Sequence, residues 1–293
     1  MPPQLIKKNI LLHIYVKLYI CKNILIMGLD IKKIEQLQNK LQDRKLREVY
    51  GELPEGMLHF LNNNIINYCL HENKTGIKQG YPVRVVNSWL AQEVIKVREE
   101  DKGKIRRFDK LENIWLNIVF DARKLGISIE VLKNLRKKLF DSPLNNFSLF
   151  KLGVIKTIFS MPQVLVFSLE GNAEMLSFEA YNKWFAKKKL PAHSVFLLEE
   201  YIAKEYNNII FSRDFDFGNQ FSDKNKMLLS YFLKTGDYKY IKIHLGEGDI
   251  RGIESSKSLL HNPELLKTIS DFQFQKAEII INNEVETIIK MEL

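Results

Sequence analysis

The stretch from Val83 to Leu139 constrains the fold of this chain more than any other, because a short helical pattern, a basic turn and two longer amphipathic patterns follow one another within it. Pro82 stands just before it, and proline is well tolerated at the start of a helix, where its missing N–H removes no hydrogen bond. The spacing of the apolar residues predicts a short helix with one apolar side. These residues are Val83, Val86, Leu90 and Val94.

The other side of this short helix is polar, and it carries Arg84, Asn87, Ser88 and Gln92. Asparagine and glutamine can each pair with adenine through two hydrogen bonds, and arginine can pair with guanine or with a phosphate. These residue types on one face favour contact with the major groove of a double helix.

A basic segment from Lys96 to Arg107 follows the helix, and we call it the wing. The polar turn at Asp101 to Gly103 predicts a hairpin of two short strands. Its cations lie at the tip and on the return strand, and they are Lys102, Lys104, Arg106 and Arg107. Such a hairpin is expected to lie along the phosphate backbone beside the groove.

Two amphipathic helices close the stretch. The first is predicted to end at Gly126, and its apolar positions are Leu111, Ile114, Trp115, Ile118, Val119, Ala122 and Leu125. Ser128 is expected to cap the second helix. The inward residues of the second helix are predicted to be Ile129, Leu132, Leu135 and Leu139, and the outward residues Lys133, Arg136, Lys137 and Lys138.

Four pieces of this stretch occur in a recognisable order and spacing. They are Val83-Arg84-Val85-Val86-Asn87-Ser88-Trp89, Glu93-Val94-Ile95, Ile105-Arg106-Arg107-Phe108 and Arg123-Lys124-Leu125-Gly126-Ile127-Ser128-Ile129. Together they resemble the DNA-binding domain of the MerR family of transcriptional regulators, which reads Val-Arg-x-Leu-x-x-Tyr, Gly-Leu-Leu/Ile, Tyr-Arg-x-Tyr and Leu-x-x-Leu-Gly-Phe-Ser-Leu. The resemblance implies that Arg84 and Trp89 contact DNA from a recognition helix, and that Arg106 contacts the phosphate backbone.

The chain departs from this family pattern in several places. The family usually has arginine at the position of Asn87 and tyrosine at that of Ser88, so the base readout is expected to differ. The first helix, expected from Met57 to Cys69, is followed by an unusually long turn. Pro143 stands where most members continue into a dimerisation helix, which leaves two-fold symmetric binding open.

The residues before Met57 divide into two parts. We expect 1–27 to be a non-native or poorly ordered extension, because its apolar run is too short and interrupted to span a membrane and no signal-peptide cleavage site follows. Residues 28–56 are expected to form an amphipathic helix and a linker. The apolar positions from Ile31 to Val49 fit pairing in a homodimer or packing on their own domain. Residues 57–142 then form the winged unit.

Residues 150–293 are predicted to form a second domain, so that the whole chain is α+β: a central winged helix-turn-helix followed by a C-terminal α+β domain with antiparallel hairpins. The expected strands are Val164 to Leu169, Ala173 to Phe178, Tyr238 to Leu245, Ile250 to Glu254, Glu278 to Ile281 and Val285 to Lys290. The expected helices are Glu179 to Lys187, a stretch around Phe196 to Ile202, Met227 to Leu233 and Leu259 to Ile269. One small sheet with helices on one face is expected, and an internal duplication is left open.

Composition is consistent with a polyanionic partner, since 44 Lys and Arg against 35 Asp and Glu give a formal charge of +9. Two cysteines, Cys21 and Cys69, favour a reducing, cytoplasmic location without disulfides. No Cys/His spacing indicates a metal or cofactor. The run from Trp184 to Lys189 sets aromatic rings beside lysines, which fits nucleic-acid contact or a solvated helix end equally well.

The sequence therefore predicts a non-enzymatic protein that binds double-stranded DNA, with a MerR-like transcriptional regulator as the leading interpretation and no membrane, metal or cofactor. The expected base contacts are Arg84, Asn87 and Ser88, and the expected backbone contacts are Trp89, Lys104, Arg106 and Arg107. Two alternatives stay open. One is an architectural or excisionase-like accessory factor of a mobile element, and the other is a protein-interaction module built on a winged-helix scaffold.

Overall fold

The computed structural model describes residues 53–72, 81–97, 107–141, 147–218, 220–283 and 285–290. Residues Pro54–Leu293 form one compact unit, and the description below concerns that unit. Several expectations lie outside the described residues. These are the extension at 1–27, the helix from Ile31 to Val49, and Lys104 and Arg106 in the wing.

The first part of the unit is helical. Its elements are α1 (Glu55–Leu61), α2 (Asn64–Asn67), a π-helical turn (Tyr68–Glu72), α3 (Val83–Ala91), α4 (Lys110–Lys124) and α5 (Ile129–Phe140). The single helix expected from Met57 to Cys69 is wrong, because Asn63 interrupts it. The Asn63 side chain accepts hydrogen bonds from the backbone N–H groups of Ile65 and Ile66, and it thereby starts α2 as a separate helix.

The start of α3, the end of α4 and the cap of α5 confirm the sequence-based expectation, whereas α3 ends at Ala91, so Val94, expected in the helix, lies beyond it. Helix α3 begins directly after Pro82. Helix α4 ends in a turn at Gly126, whose φ of 82° lies in the left-handed region that glycine tolerates. Ser128 then caps α5, since its hydroxyl accepts a hydrogen bond from Val131 N at 3.3 Å.

Three side chains lie on a different side from the one expected. Val83 and Leu125, expected to be inside, are 68% and 65% exposed because each stands at the end of its helix, beyond the packed surface. Arg136, expected to be outside, is buried. Its guanidinium donates two hydrogen bonds to the Glu112 carboxylate, at 2.5 and 3.2 Å, and this partner on α4 accounts for the burial.

The second part of the unit mixes helices and strands, which confirms the α+β class. Its helices are α6 (Leu149–Ile158), α7 (Phe178–Ala186), α8 (Leu198–Glu205), α9 (Lys224–Thr235), α10 (Ser256–Leu260) and α11 (Pro263–Ser270). Its strands are β1 (Gln163–Ser168), β2 (Ala173–Ser177), β3 (His193–Leu197), β4 (Tyr240–Gly246), β5 (Asp249–Ile253), β6 (Lys276–Ile280) and β7 (Glu286–Lys290), and short 3₁₀ turns lie at Arg213–Phe215 and Gln220–Ser222.

Two expectations about these elements are wrong. The stretch that contains Phe196 and Leu197 is a strand that ends where α8 begins, and not one helix. The helix expected from Leu259 to Ile269 is divided into α10 and α11, because Asn262 caps a new helix whose first residue is Pro263.

The strands form two antiparallel sheets rather than one. The first has the order β2-β1-β3 and the second the order β5-β4-β6-β7. In each sheet a helix precedes a hairpin, one or two helices follow it, and the next strand returns beside the first strand of the hairpin. The same order of elements therefore occurs twice in this part of the chain.

Buried cations connect the two parts. Lys151 on α6 is 1% exposed, and its ammonium donates hydrogen bonds to Leu61 O at 2.6 Å and to Asn67 Oδ1 at 2.5 Å. Lys110 on α4 forms an ion pair with Asp237, which follows α9. The helices before and after residues 142–146 thus pack on each other, and the division of the chain into domains at this point stays a prediction.

We predict that Lys151 makes stability depend on pH at alkaline values. Burial lowers the pKa of Lys151 from 10.5 to about 8. Between these values the unfolded chain holds a proton that the folded chain has lost, so the free energy of unfolding rises with pH through this window and is constant below it. Lys151→Met should abolish a rise of roughly 3 kcal/mol, at about 1.4 kcal/mol per pKa unit.

Urea unfolding of both proteins between pH 8 and 10.5 measures this difference. Lys224→Met, at an exposed lysine, is the matched control and should keep the wild-type pH dependence. A gap between wild type and Lys151→Met that stays constant across the window would contradict the assignment.

We also predict that Glu93→Gly stabilises the protein. Glu93 follows α3 with a φ of 58°, a conformation that costs a side-chain-bearing residue about 1 kcal/mol. Glu93→Ala keeps the Cβ and loses only the exposed ion pair with Lys133, so it serves as the control. Denaturant unfolding should rank the glycine variant above the alanine variant, and the opposite ranking would show that the backbone is not strained there.

Candidate nucleic-acid interface

Helix α3 presents one polar, exposed face. Arg84, Asn87, Ser88 and Gln92 are all exposed on it, as the helical spacing predicts. The Gln92 amide donates a hydrogen bond to Ser88 Oγ at 2.8 Å, which orders the end of this face. The opposite face is anchored by Val86 and Trp89, which are 0% and 5% exposed. The helix is therefore held by its apolar side and offers hydrogen-bonding groups to solvent.

A groove of about 660 Å³ runs between this helix, the end of α4 and the start of α5. We refer to it as the α3 groove. It is lined by Arg84, Val85, Ser88, Trp89 and Gln92 from α3, by Phe120, Arg123 and Lys124 from α4, and by Ile129 from α5. Three cationic side chains and two aromatic rings thus converge on one concave surface.

The three cations of the α3 groove are held differently. Arg123 donates a hydrogen bond from Nη1 to Ile127 O at 2.5 Å, across the turn between α4 and α5. Lys124 Nζ lies 4.0 Å from the centroid of the Phe120 ring and 3.3 Å from Asp121 Oδ1. Arg84 makes no hydrogen bond or ion pair with any residue that the structure describes. Its guanidinium remains available to an anion.

One carboxylate stands beside these cations. Burial acts to raise the pKa of Asp121, but the adjacent Lys204 and Lys124 ammonium groups hold it below its usual value. Lys204 Nζ lies 3.0 Å from Asp121 Oδ2, and this pair ties the groove to α8. The charge of Lys124 is therefore partly balanced, whereas that of Arg84 is not.

Aromatic packing supports the base of the groove. The rings of Tyr81 and Phe120 lie 4.3 Å apart, and the Tyr81 hydroxyl donates a hydrogen bond to Asn117 Oδ1 at 2.5 Å. Burial, and then the charge of Asp121, raise the pKa of Tyr81 well above its ordinary value. The phenol therefore stays neutral and keeps its hydrogen bond. Phe120 is fixed between Tyr81, Trp89 and the Lys124 ammonium.

Trp89 requires a correction. The sequence analysis expects it to contact the DNA backbone, but only 5% of the residue is exposed. Its ring lies edge-on to Phe120 with centroids 6.4 Å apart, because a large apolar ring on this side of α3 gains more from packing on α4 than from solvent. Trp89 forms the floor of the groove and supports Arg84 and Ser88.

The wing is described only at its ends. Arg107 is exposed, and it directly precedes Phe108, which is 1% exposed and anchors the return of the chain to the core. Asp109 then caps α4 by accepting a hydrogen bond from Glu112 N at 2.8 Å. Because Phe108 is buried, Arg107 is held at the surface shortly before α4 begins. The backbone contacts expected of Lys104 and Arg106 stay predictions.

The sequence analysis did not identify Arg123 and Lys124 as candidate contacts. They were noted only as part of the family-like pattern that ends α4. Their signal was weak, because two basic residues in the last turn of a helix are common and complement the helix dipole. Only the packing of α4 against α3 brings them to Arg84.

Two kinds of site find no support in the part of the chain that the structure describes. No group of three or more His, Cys, Asp or Glu side chains is arranged to hold a metal ion there. Asp214 and Asp216 are two carboxylates close together in the chain, and each has a local partner: Asp214 accepts a hydrogen bond from Ser212 Oγ, and Asp216 pairs with Lys234 at 2.7 Å. None of the described helices is both long and apolar enough to cross a bilayer.

Comparisons with known proteins found no relative of this chain. No protein-family model, no curated protein and no solved structure matches the chain.

Proposed function

We propose that this protein binds double-stranded DNA through the exposed face of α3 and acts as a MerR-like transcriptional regulator. The observation that carries the proposal is the exposed face of α3, on which Arg84, Asn87 and Ser88 stand together, with the cations Arg123 and Lys124 across the α3 groove. A helix of this kind fits the major groove, where arginine and amide side chains read base edges.

Charge and position indicate which of these side chains contact phosphates and which contact bases. Arg84 borders the groove and has no internal partner among the described residues, so we assign it a phosphate contact in place of the base contact expected from the sequence. Asn87 is exposed on the same face but is not part of the groove lining, and its amide suits the paired donor and acceptor of adenine. Arg123 and Lys124 suit phosphates, because they lie to the side of the α3 face.

Local backbone geometry supports the comparison with MerR proteins. The family pattern has glycine at the position of Glu93, and Glu93 adopts a φ of 58°, which glycine tolerates best. The turn at Gly126 and the Ser128 cap coincide with the Gly-Phe-Ser piece of the pattern. These local backbone features support the proposal, although each is also common at helix ends outside this family.

The alternatives make different demands on the same surface. An excisionase-like or architectural factor would use the same helix but bind at the ends of a mobile element, so the location of the target sites separates it from a regulator. A protein-interaction module would bind its partner with little dependence on salt and would not retain duplex DNA.

We predict that Arg84→Ala weakens binding to every duplex sequence and lowers the slope of log affinity against log salt by about 0.9, the value for one lost phosphate contact. Fluorescence anisotropy with a labelled duplex at several salt concentrations measures both quantities. Lys138→Ala, which removes an exposed charge near the far end of α5, is the matched control. Equal loss in both variants would reduce the effect to net charge and overturn the role of Arg84.

We predict a different result for Asn87→Ala. Because an amide reads a base edge rather than a phosphate, this variant should change the preferred sequence and leave the salt slope unaltered. Selection from a random duplex library with wild type and variant measures the preference. An identical selected sequence for both proteins would remove Asn87 from the readout.

A further inference from the structure

Helix α7 differs from the other described α-helices of the unit in that none of its residues is buried. Three of its aromatic residues are strongly exposed: Phe178 and Trp184 at 39%, and Phe185 at 60%. Such rings normally face a core, because each carries a large apolar area. An aromatic surface left in solvent on one short helix indicates a binding surface.

The rings of α7 form an ordered stack that we call the ladder, consisting of Phe178, Tyr181, Phe185 and His193. Phe178 and Tyr181 are nearly parallel at 24°, with centroids 6.3 Å apart, and Tyr181 and Phe185 are at 27° and 5.9 Å. His193 on β3 meets Tyr181 and Phe185 edge-on, at 5.7 and 6.2 Å. The ring planes are therefore set before any ligand arrives.

Hydrogen bonds fix His193 within the ladder. Its Nδ1 lies 2.6 Å from Pro191 O, which can only accept, so Nδ1 carries the proton. In the neutral imidazole Nε2 then accepts a hydrogen bond from the Tyr181 hydroxyl at 3.3 Å. This chain of bonds joins α7 to the edge strand of the first sheet and holds the Tyr181 ring in place.

Positive charge surrounds one end of the ladder. Lys183, Lys187, Lys188 and Lys189 are all exposed, and none of them has an ion-pair partner among the described residues. The acidic residue of the helix, Glu179, lies in its first turn, one turn before Lys183, and it forms no ion pair with any described residue. The surface thus combines stacked rings with a group of unpaired ammonium groups.

We infer that the ladder and its lysines form a binding site for single-stranded nucleic acid, separate from the α3 groove. Unpaired bases expose ring faces that extend an aromatic stack, and their phosphates lie within reach of nearby cations. A duplex offers no such faces, because its bases are already stacked on one another. The inference does not depend on duplex binding by α3.

The position of the site suits a nucleic-acid-binding protein. Gly171 in the β1–β2 turn lies against Val131 of α5, and Ile129 of the same helix lines the α3 groove. The sheet that carries the ladder is thus adjacent to the helix that borders the groove. A bilayer is a poorer fit, because rings that are stacked on one another suit the flat faces of unpaired bases.

The test uses the full chain and a fluorescein-labelled oligothymidylate of about 20 nucleotides, long enough to cover one such site. Phe185→Ala removes the most exposed ring and should weaken binding about tenfold or more, the effect of losing one stacked base. Leu169→Ala, at an apolar residue that is 81% exposed but not in the ladder, is the matched control and should bind like wild type.

Tryptophan fluorescence gives a second readout. Of the three tryptophans, Trp89 and Trp115 are buried and Trp184 is exposed on α7. Addition of oligothymidylate should quench the emission of Trp184, and Trp184→Phe should abolish that change. Vesicles of phosphatidylglycerol serve as the lipid probe, and they should leave the emission unaltered.

The experiments test the two proposed sites independently of each other. Arg84→Ala should leave oligothymidylate binding intact, and Phe185→Ala should leave duplex binding intact. Wild-type affinity for oligothymidylate in Phe185→Ala, or a response of Trp184 to vesicles but not to the oligonucleotide, would overturn the single-strand site. If the wild-type protein binds oligothymidylate but does not bind duplex DNA, only the function proposed for α3 is rejected.

Discussion

The structure depends on the enclosure of lysine ammonium groups between segments that are distant in sequence. Lys151 joins α6 to α1 and α2, and Lys110 joins α4 to Asp237, which follows α9. Lys234 on α9 meets Asp216 at 2.7 Å and donates to Ser160 Oγ and Ser212 O, each at 2.9 Å. An unpartnered buried cation costs several kcal/mol, so each lysine tolerates only the arrangement that supplies its oxygens. The Lys110 contact holds α4, and α4 carries one wall of the α3 groove.

Local signals predicted the helices of the first part well. Pro82, Gly126 and Ser128 act through the backbone of their immediate neighbours, so their effect can be read without knowledge of the tertiary fold. The exposed face of α3 followed from the same local reasoning, since helical spacing alone separates Arg84 and Asn87 from Val86. The break at Asn63 was missed, because the apolar pattern continues through it and only the cap hydrogen bonds reveal it.

The remaining features required tertiary information. Arg136 looks like an outward cation until Glu112 is brought against it from another helix. The apolar run from Val195 to Leu198 crosses from strand β3 into helix α8 without a break, so the pairing of Phe196 with Leu165 is what makes the β3 residues extended. Arg123 and Lys124 joined the candidate site only through packing of α4 on α3. The presence of two sheets could not be predicted either, because a hairpin pattern in the sequence does not indicate which hairpins pair with each other.

The repeated order of elements in the second part has a consequence for how the chain acquires its structure. In both sheets the central strand, β1 or β4, first pairs with the strand that directly follows it, across a short turn. Hairpins of this kind close within microseconds, whereas the pairing of β3 with β1, or of β6 with β4, closes a longer loop that contains helices. We therefore expect each sheet to form from its own hairpin, without waiting for the other sheet.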